Sequence, residues 1–165
     1  MSLPRPAPGR TAVVTGASSG IGAALARQLV HRGFGVSLVA RRRDLLEQLA
    51  ADLRALDVDV QVFAMDLCDR SARAELPQQI NERGLVPDIL INNAGCSTLG
   101  AVARSDPARE MEMLELDVVA VADLCSRFVP GMVERGTGAI LNVASTAAFQ
   151  PLLGQAGYGA AKAFV

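Results

Sequence analysis

Thr11-Ala-Val-Val-Thr15-Gly16-Ala-Ser-Ser-Gly20-Ile-Gly22 decides the fold. A short apolar strand, Thr11 to Thr15, runs straight into a glycine-spaced turn. A helix follows, with Ile21, Leu25 and Leu29 at helical spacing. Such a turn can hold a dinucleotide pyrophosphate. Backbone N–H groups and the helix dipole attract the charge there, and glycines permit close approach. The spacing is T-G-x-x-x-G-x-G rather than G-x-G-x-x-G. Taken alone, the loop also fits a plain glycine-rich turn.

Outward from that stretch the chain alternates strand and helix. Gly33 ends the first helix. Gly35–Ala40 is the second strand. Asp44 is placed to cap the next helix, which carries Leu45, Leu49, Leu53 and Leu56. Val58–Ala64 is the third strand, and a polar helix spans about Ser71 to Arg83. Asp88–Asn92 is the fourth strand. Asp106-Pro107 opens a long helix, cap then proline, that runs to about Arg135. Gly138–Ala144 is the fifth strand. Strands alternating with helices predict a parallel sheet covered on both faces, an α/β doubly wound fold. The domain spans residues 11–165, after a Pro-rich tail at residues 1–10.

The chain has 165 residues, half of them apolar, and a net charge of −1. A single domain with a sizeable core follows, and disorder does not. The charge balance suggests neither nucleic acid nor an anionic membrane as partner. No apolar run reaches the length of a membrane span, and no signal-peptide pattern opens the chain. Cys68, Cys96 and Cys125 are odd in number and widely spaced. They suit free thiols in a cytoplasmic setting, packed as small hydrophobes, with no metal site.

Near the C-terminus stand Ser145, Tyr158 and Lys162. Tyr158 is the only tyrosine and Lys162 the only lysine. Four positions apart, they share one helix face. A phenol gives up its proton only near pH ~10, and an ammonium beside it favours the ionised form. A phenol poised in this way can pass a proton to a carbonyl oxygen or take one from an alcohol. Ser145 could hydrogen-bond the same oxygen. The pair alone also fits two residues that merely share a helix surface.

Four motifs together resemble the short-chain dehydrogenase/reductase family. They are Thr15-Gly16-Ala-Ser-Ser-Gly20-Ile-Gly22, Asn92-Asn93-Ala94-Gly95, Ser145 and Tyr158-x-x-x-Lys162, in the family's order and spacing. The resemblance implies a Rossmann-like sheet with strand order 3-2-1-4-5. It implies hydride transfer between a nicotinamide coenzyme and a carbonyl/alcohol pair. Tyr158 would be the acid/base, Lys162 would assist it and bind the nicotinamide ribose, and Ser145 would orient the substrate oxygen. Gly16, Ser18, Ser19, Gly20, Ile21 and Gly22 would form the pyrophosphate turn. Asp66 and Leu67 would meet adenine, and Asn93, Ala94 and Gly95 would line the coenzyme. A small-molecule substrate is expected, and a homodimer or homotetramer for a full chain.

The coenzyme's form is read from charge. An acid at the end of the second strand binds a ribose 2′-hydroxyl, and arginine accommodates a 2′-phosphate. That end here reads Val39-Ala40-Arg41-Arg42-Arg43. Arg41 and Arg42 therefore predict NADP(H), since guanidinium forks suit phosphate. A solvated basic helix start is the plainer alternative.

Two departures from the family pattern stand out. Where the family carries a proton-relay asparagine, this sequence has Asp117. The chain also stops at Val165, whereas family members continue through two more strands and a substrate loop. The fifth strand is then expected to be an edge, with Leu141 and Val143 short of cover. These departures motivate an alternative to the enzyme reading, a non-catalytic NADP(H)-binding module or an inactive fragment of such an enzyme. His31 is expected on the surface.

Overall fold

The computed structural model describes residues 3–165. Its centre is a five-stranded parallel sheet in the order β3-β2-β1-β4-β5, as the resemblance implied. The strands are β1 (Arg10–Thr15), β2 (Gly35–Ala40), β3 (Val60–Ala64), β4 (Val86–Asn92) and β5 (Ala139–Asn142). The helices are α1 (Gly20–His31), α2 (Arg43–Arg54), α3 (Arg70–Glu82), α4 (Pro107–Leu114), α5 (Ala120–Glu134) and α6 (Ala156–Phe164). Within the Pro-rich stretch, residues 1 and 2 lie outside the described residues.

Alternation along each strand builds two cores. Ala12, Val14, Val36 and Leu38 point to one face and pack on Ala26, Leu29 and Val30 of α1 and Leu46 and Leu49 of α2. Val13, Val39, Phe63 and Leu90 point to the other and meet Leu76 and Ile80 of α3 and Leu124 and Phe128 of α5. Successive strand side chains face opposite ways, so strands buried on both sides are apolar at nearly every position; the buried Thr11 and Ser37 hydroxyls pair with each other at 2.9 Å. Burying each such Leu or Val fully is worth roughly 1.5–3 kcal/mol.

Several local expectations are corrected. Asp44 does not cap α2; the N-cap position is Arg42 and no side chain caps it. The buried face of α2 is Leu46, Leu49, Ala50 and Leu53, while Leu56 lies beyond its end and is exposed. Ile21 is exposed, because it stands at the open end of α1. The long helix is not continuous. A π-helical turn over Glu115–Val119 separates α4 from α5. The cap of α4 is as expected: Asp106 accepts from Ala108 N–H at 2.9 Å, with Pro107 in the first turn. β5 is shorter than expected and exposed over Ile140 and Leu141, whereas Val143 packs on the core.

The register sets the C-terminal ends of the strands side by side. Thr15 pairs with Val39, Val14 with Ile91, and Asn92 with Asn142. Between β1 and β4 the strand order reverses, and a crevice opens beyond the strand ends at such a switch point. Among the described residues, no helix is long and apolar enough to cross a membrane.

Candidate functional site

The crevice is a groove of about 300 Å³. It brings together most of the residues singled out in the sequence. Gly16, Ser18 and Ser19 form one side, Ala40, Arg41 and Arg42 the next, then Asp66 and Leu67, and opposite them Asn93, Ala94 and Gly95. Met65 and Leu116 complete the lining. Gly20, Ile21 and Gly22 form the α1 N-terminus beside the groove rather than its lining.

The glycine turn has a different reason at each position. Gly16 and Gly20 hold positive φ of 65° and 56°, which a side chain disfavours. A Cβ on Gly16 would crowd Ala94 Cα at 2.8 Å, and one on Gly22 would run into the Gly16 carbonyl. A Cβ on Gly20 would meet nothing within 4 Å. Gly16 and Gly22 thus let the turn pack on itself and on the Asn93–Ala94 segment that follows β4, while Gly20 leaves open space at the helix N-terminus. Ser19 is the N-cap of α1, but its hydroxyl makes no cap hydrogen bond.

That hydroxyl is used elsewhere. Arg42 Nη2 donates to both Ser18 Oγ and Ser19 Oγ, each at 2.9 Å. The guanidinium is thereby held across the glycine turn. Arg41 turns away from that contact and pairs with Glu112 Oε1 at 3.3 Å. Asp66 does not cap a helix; its Oδ1 accepts from Cys68 N–H at 2.9 Å, and Asp69 caps α3. Burial first, then Asp66, push the Cys68 thiol up to about 11. Burial first, then Asp117, push Cys96 up as well. All three cysteines are free and partly buried rather than core residues. Asn93 braces the end of β1 through Nδ2 to the Thr15 carbonyl at 2.9 Å.

The second half of the site lies on α6 and the π turn. Lys162 is buried, and its Nζ stands 3.1 Å from Asp117 Oδ2 and donates to the Val143 carbonyl at 3.4 Å. The ammonium also faces the Tyr158 ring, 5.7 Å from its centroid, within cation–π range. Asp117 is wholly buried, and its Oδ1 accepts from Cys96 N–H at 2.9 Å. Oδ2 lacks an aligned hydrogen bond, so its contact with Lys162 is a Coulombic pair. Ser145 caps a short 3₁₀ turn, and its Oγ accepts from Ala147 N–H at 3.2 Å. Its own hydroxyl proton stays available to donate. His31 is exposed, at the end of α1.

Glu112 and the Val143 carbonyl had no clear signal in the sequence, and neither did Arg73 and Glu115, which pair at 2.7 Å. Arg73 sits on a helix that reads as polar, yet it is 2% exposed.

A family profile described as short chain dehydrogenase matches residues 10–165. This chain belongs to the short-chain dehydrogenase family. An uncharacterized oxidoreductase of Myxococcus xanthus is 35% identical over 156 residues, 94% of this chain and 62% of that protein. The crystal structure of a metagenomic short-chain oxidoreductase in complex with NADP is similar with a TM-score of 0.90 at 33% identity, covering 94% of this chain and 71% of that one. L-Sorbose reductase from Gluconobacter frateurii, complexed with NADPH and L-sorbose, gives a TM-score of 0.89 at 34% identity, covering 96% of this chain and 61% of that one. This short-chain dehydrogenase chain therefore spans under two thirds of the Myxococcus relative and of the sorbose reductase.

Proposed function

We propose that this chain is the coenzyme-binding and catalytic part of an NADP(H)-dependent oxidoreductase interconverting a carbonyl and a secondary alcohol. Residues 11–165 act in it as one nucleotide-binding unit. One observation carries the reading. Gly95 lines the groove, and a Cβ placed on it would stand 3.1 Å from Lys162 Nζ. The groove and Lys162 are therefore neighbours beyond the C-terminal end of β4.

The residues present fit the coenzyme. The open space at Gly20 and the N-terminus of α1 suit a pyrophosphate, and Arg42, fixed on two serine hydroxyls, suits a 2′-phosphate. Asn93, Ala94 and Gly95 supply the wall toward the reaction end. Solved relatives bound to NADP and NADPH support the choice of coenzyme. The nicotinamide, when bound, supplies or accepts a hydride.

The chain's own groups handle the oxygen and its proton. Tyr158 gives its hydroxyl proton to the carbonyl oxygen in the reductive direction and takes it back in the oxidative one. Lys162 stabilises the phenolate by its charge. Ser145 donates a hydrogen bond to the same oxygen, since its acceptor side is occupied by Ala147 N–H. Asp117 holds Lys162 in place.

Titration with NADPH and NADH, followed by turnover of a ketone and aldehyde panel through NADPH absorbance, tests the reading. NADPH binding with turnover of a carbonyl compound is expected. Binding without any turnover would instead support a non-catalytic nucleotide module.

A further inference from the structure

Arg73 is buried on α3, outside the groove, with a charge that the proposed chemistry does not use. Its guanidinium has three partners on three segments. Nη1 donates to the Leu67 carbonyl at 2.6 Å. Nη2 meets Glu115 Oε1 at 2.7 Å, and Nε meets Asp123 Oδ2 at 2.9 Å. Leu67 lines the groove beside Asp66. Glu115 opens the π turn that also carries Leu116, in the groove wall, and Asp117, the partner of Lys162.

The π turn explains how one short segment serves three neighbours. A π turn inserts an extra residue into a helix and interrupts its regular facing. Here Glu115 meets α3, Leu116 meets the groove, and Asp117 meets α6. A turn with this irregular path needs an external tie, and Arg73 supplies one at its first residue. The same guanidinium ties the backbone at Leu67.

The geometry points to Arg73 as a positioning residue that anchors both ends of the coenzyme groove, the Asp66–Leu67 wall and the π turn holding Asp117 against Lys162. Only a planar fork with several donors serves three partners in fixed directions; a lysine ammonium of equal charge does not. This inference rests on the coenzyme reading above.

The test uses 2′,5′-ADP as a probe of the adenosine end, titrated by calorimetry against folded protein, together with steady-state turnover. Arg73→Lys and Arg73→Met should each weaken 2′,5′-ADP binding at least about tenfold. Glu115→Ala keeps the Leu67 tie. It should leave 2′,5′-ADP affinity within about twofold while kcat falls at least about fivefold. A purely structural role would lower thermal stability without this split. Wild-type 2′,5′-ADP affinity in folded Arg73→Lys would overturn the inference, as would unchanged kcat in Glu115→Ala. Should Arg73→Met not fold, Arg73→Lys and Glu115→Ala still decide. A wild-type protein that binds no adenosine phosphate would overturn the coenzyme reading itself, and this inference with it.

Discussion

Lys162 Nζ stands 3.1 Å from Asp117 Oδ2, and both side chains are buried. The pair sits directly under Gly95, whose missing side chain leaves room for both charged groups. A buried ion pair adds little compared with apolar packing, but removing one partner strands the other charge. That asymmetry sets the first prediction.

Asp117→Ala should destabilise the fold by about 3–5 kcal/mol, as expected for a stranded buried cation. Asp117→Asn should cost less, because its amide oxygen still accepts from Cys96 N–H. Urea unfolding of the two variants measures both costs. Equal losses in Asp117→Ala and Asp117→Asn would count against the contact with Cys96.

Coenzyme preference should lie with Arg42 more than Arg41. NADPH should bind more tightly than NADH by at least tenfold, about 1.4 kcal/mol. Arg42 is fixed on Ser18 and Ser19, whereas Glu112 competes for Arg41. Arg42→Ala should therefore erase more of the preference than Arg41→Ala, and Arg41→Asp should weaken or invert it. Equal dissociation constants for NADPH and NADH in the unmutated protein would sink the assignment.

Tyr158→Phe should abolish turnover while NADPH affinity stays within a few-fold, since only the proton donor is lost. Ser145→Ala should fall less far, by roughly two to three orders of magnitude, for one lost donor to the reacting oxygen. Lys162→Met should impair both binding and turnover. Retention of most kcat in Tyr158→Phe would remove it from the mechanism.

Acid stability should depend on Asp123. Burial raises this carboxyl, but hydrogen bonds and charge from Arg73 and Arg127 outweigh it and hold the group below its usual range. A carboxyl lowered in the folded state stabilises the protein above its unfolded value and loses that contribution as pH falls through the folded value. Unfolding free energy should then drop below about pH 4, and Asp123→Asn should flatten that drop. Chemical denaturation between pH 3 and about pH 6 checks it; parallel curves for the two proteins would count against the pairing.

Much of this protein was legible in residue order. Parallel strands buried on both faces read as near-continuous apolar runs, so Ala12–Val14 and Ile89–Ile91 announced themselves, and the glycine turn announced its strand-to-helix position. The family resemblance carried the strand order β3-β2-β1-β4-β5, because its motifs are local signals. Boundaries were less legible. Asp44 lost the cap position because the chain enters α2 earlier, at Arg42.

Tertiary structure decided what local sequence does not encode. The break at Glu115–Val119 lies in a stretch that reads as continuous helix, since a π turn has no strong residue signature. Arg73 lies on a helix that reads only as polar; the convergence of the Leu67 carbonyl, Glu115 and Asp123 makes its burial tolerable. Asp117 was visible as an unusual residue, but its pairing with Lys162 depends on α6 docking against the π turn, 45 positions away in the chain. Apolar pattern and glycine geometry act through near neighbours, so the sequence determines the sheet and its turn. Charge pairing acts between segments that meet only after folding, so the fold decides which arginine, which acid and which lysine work together.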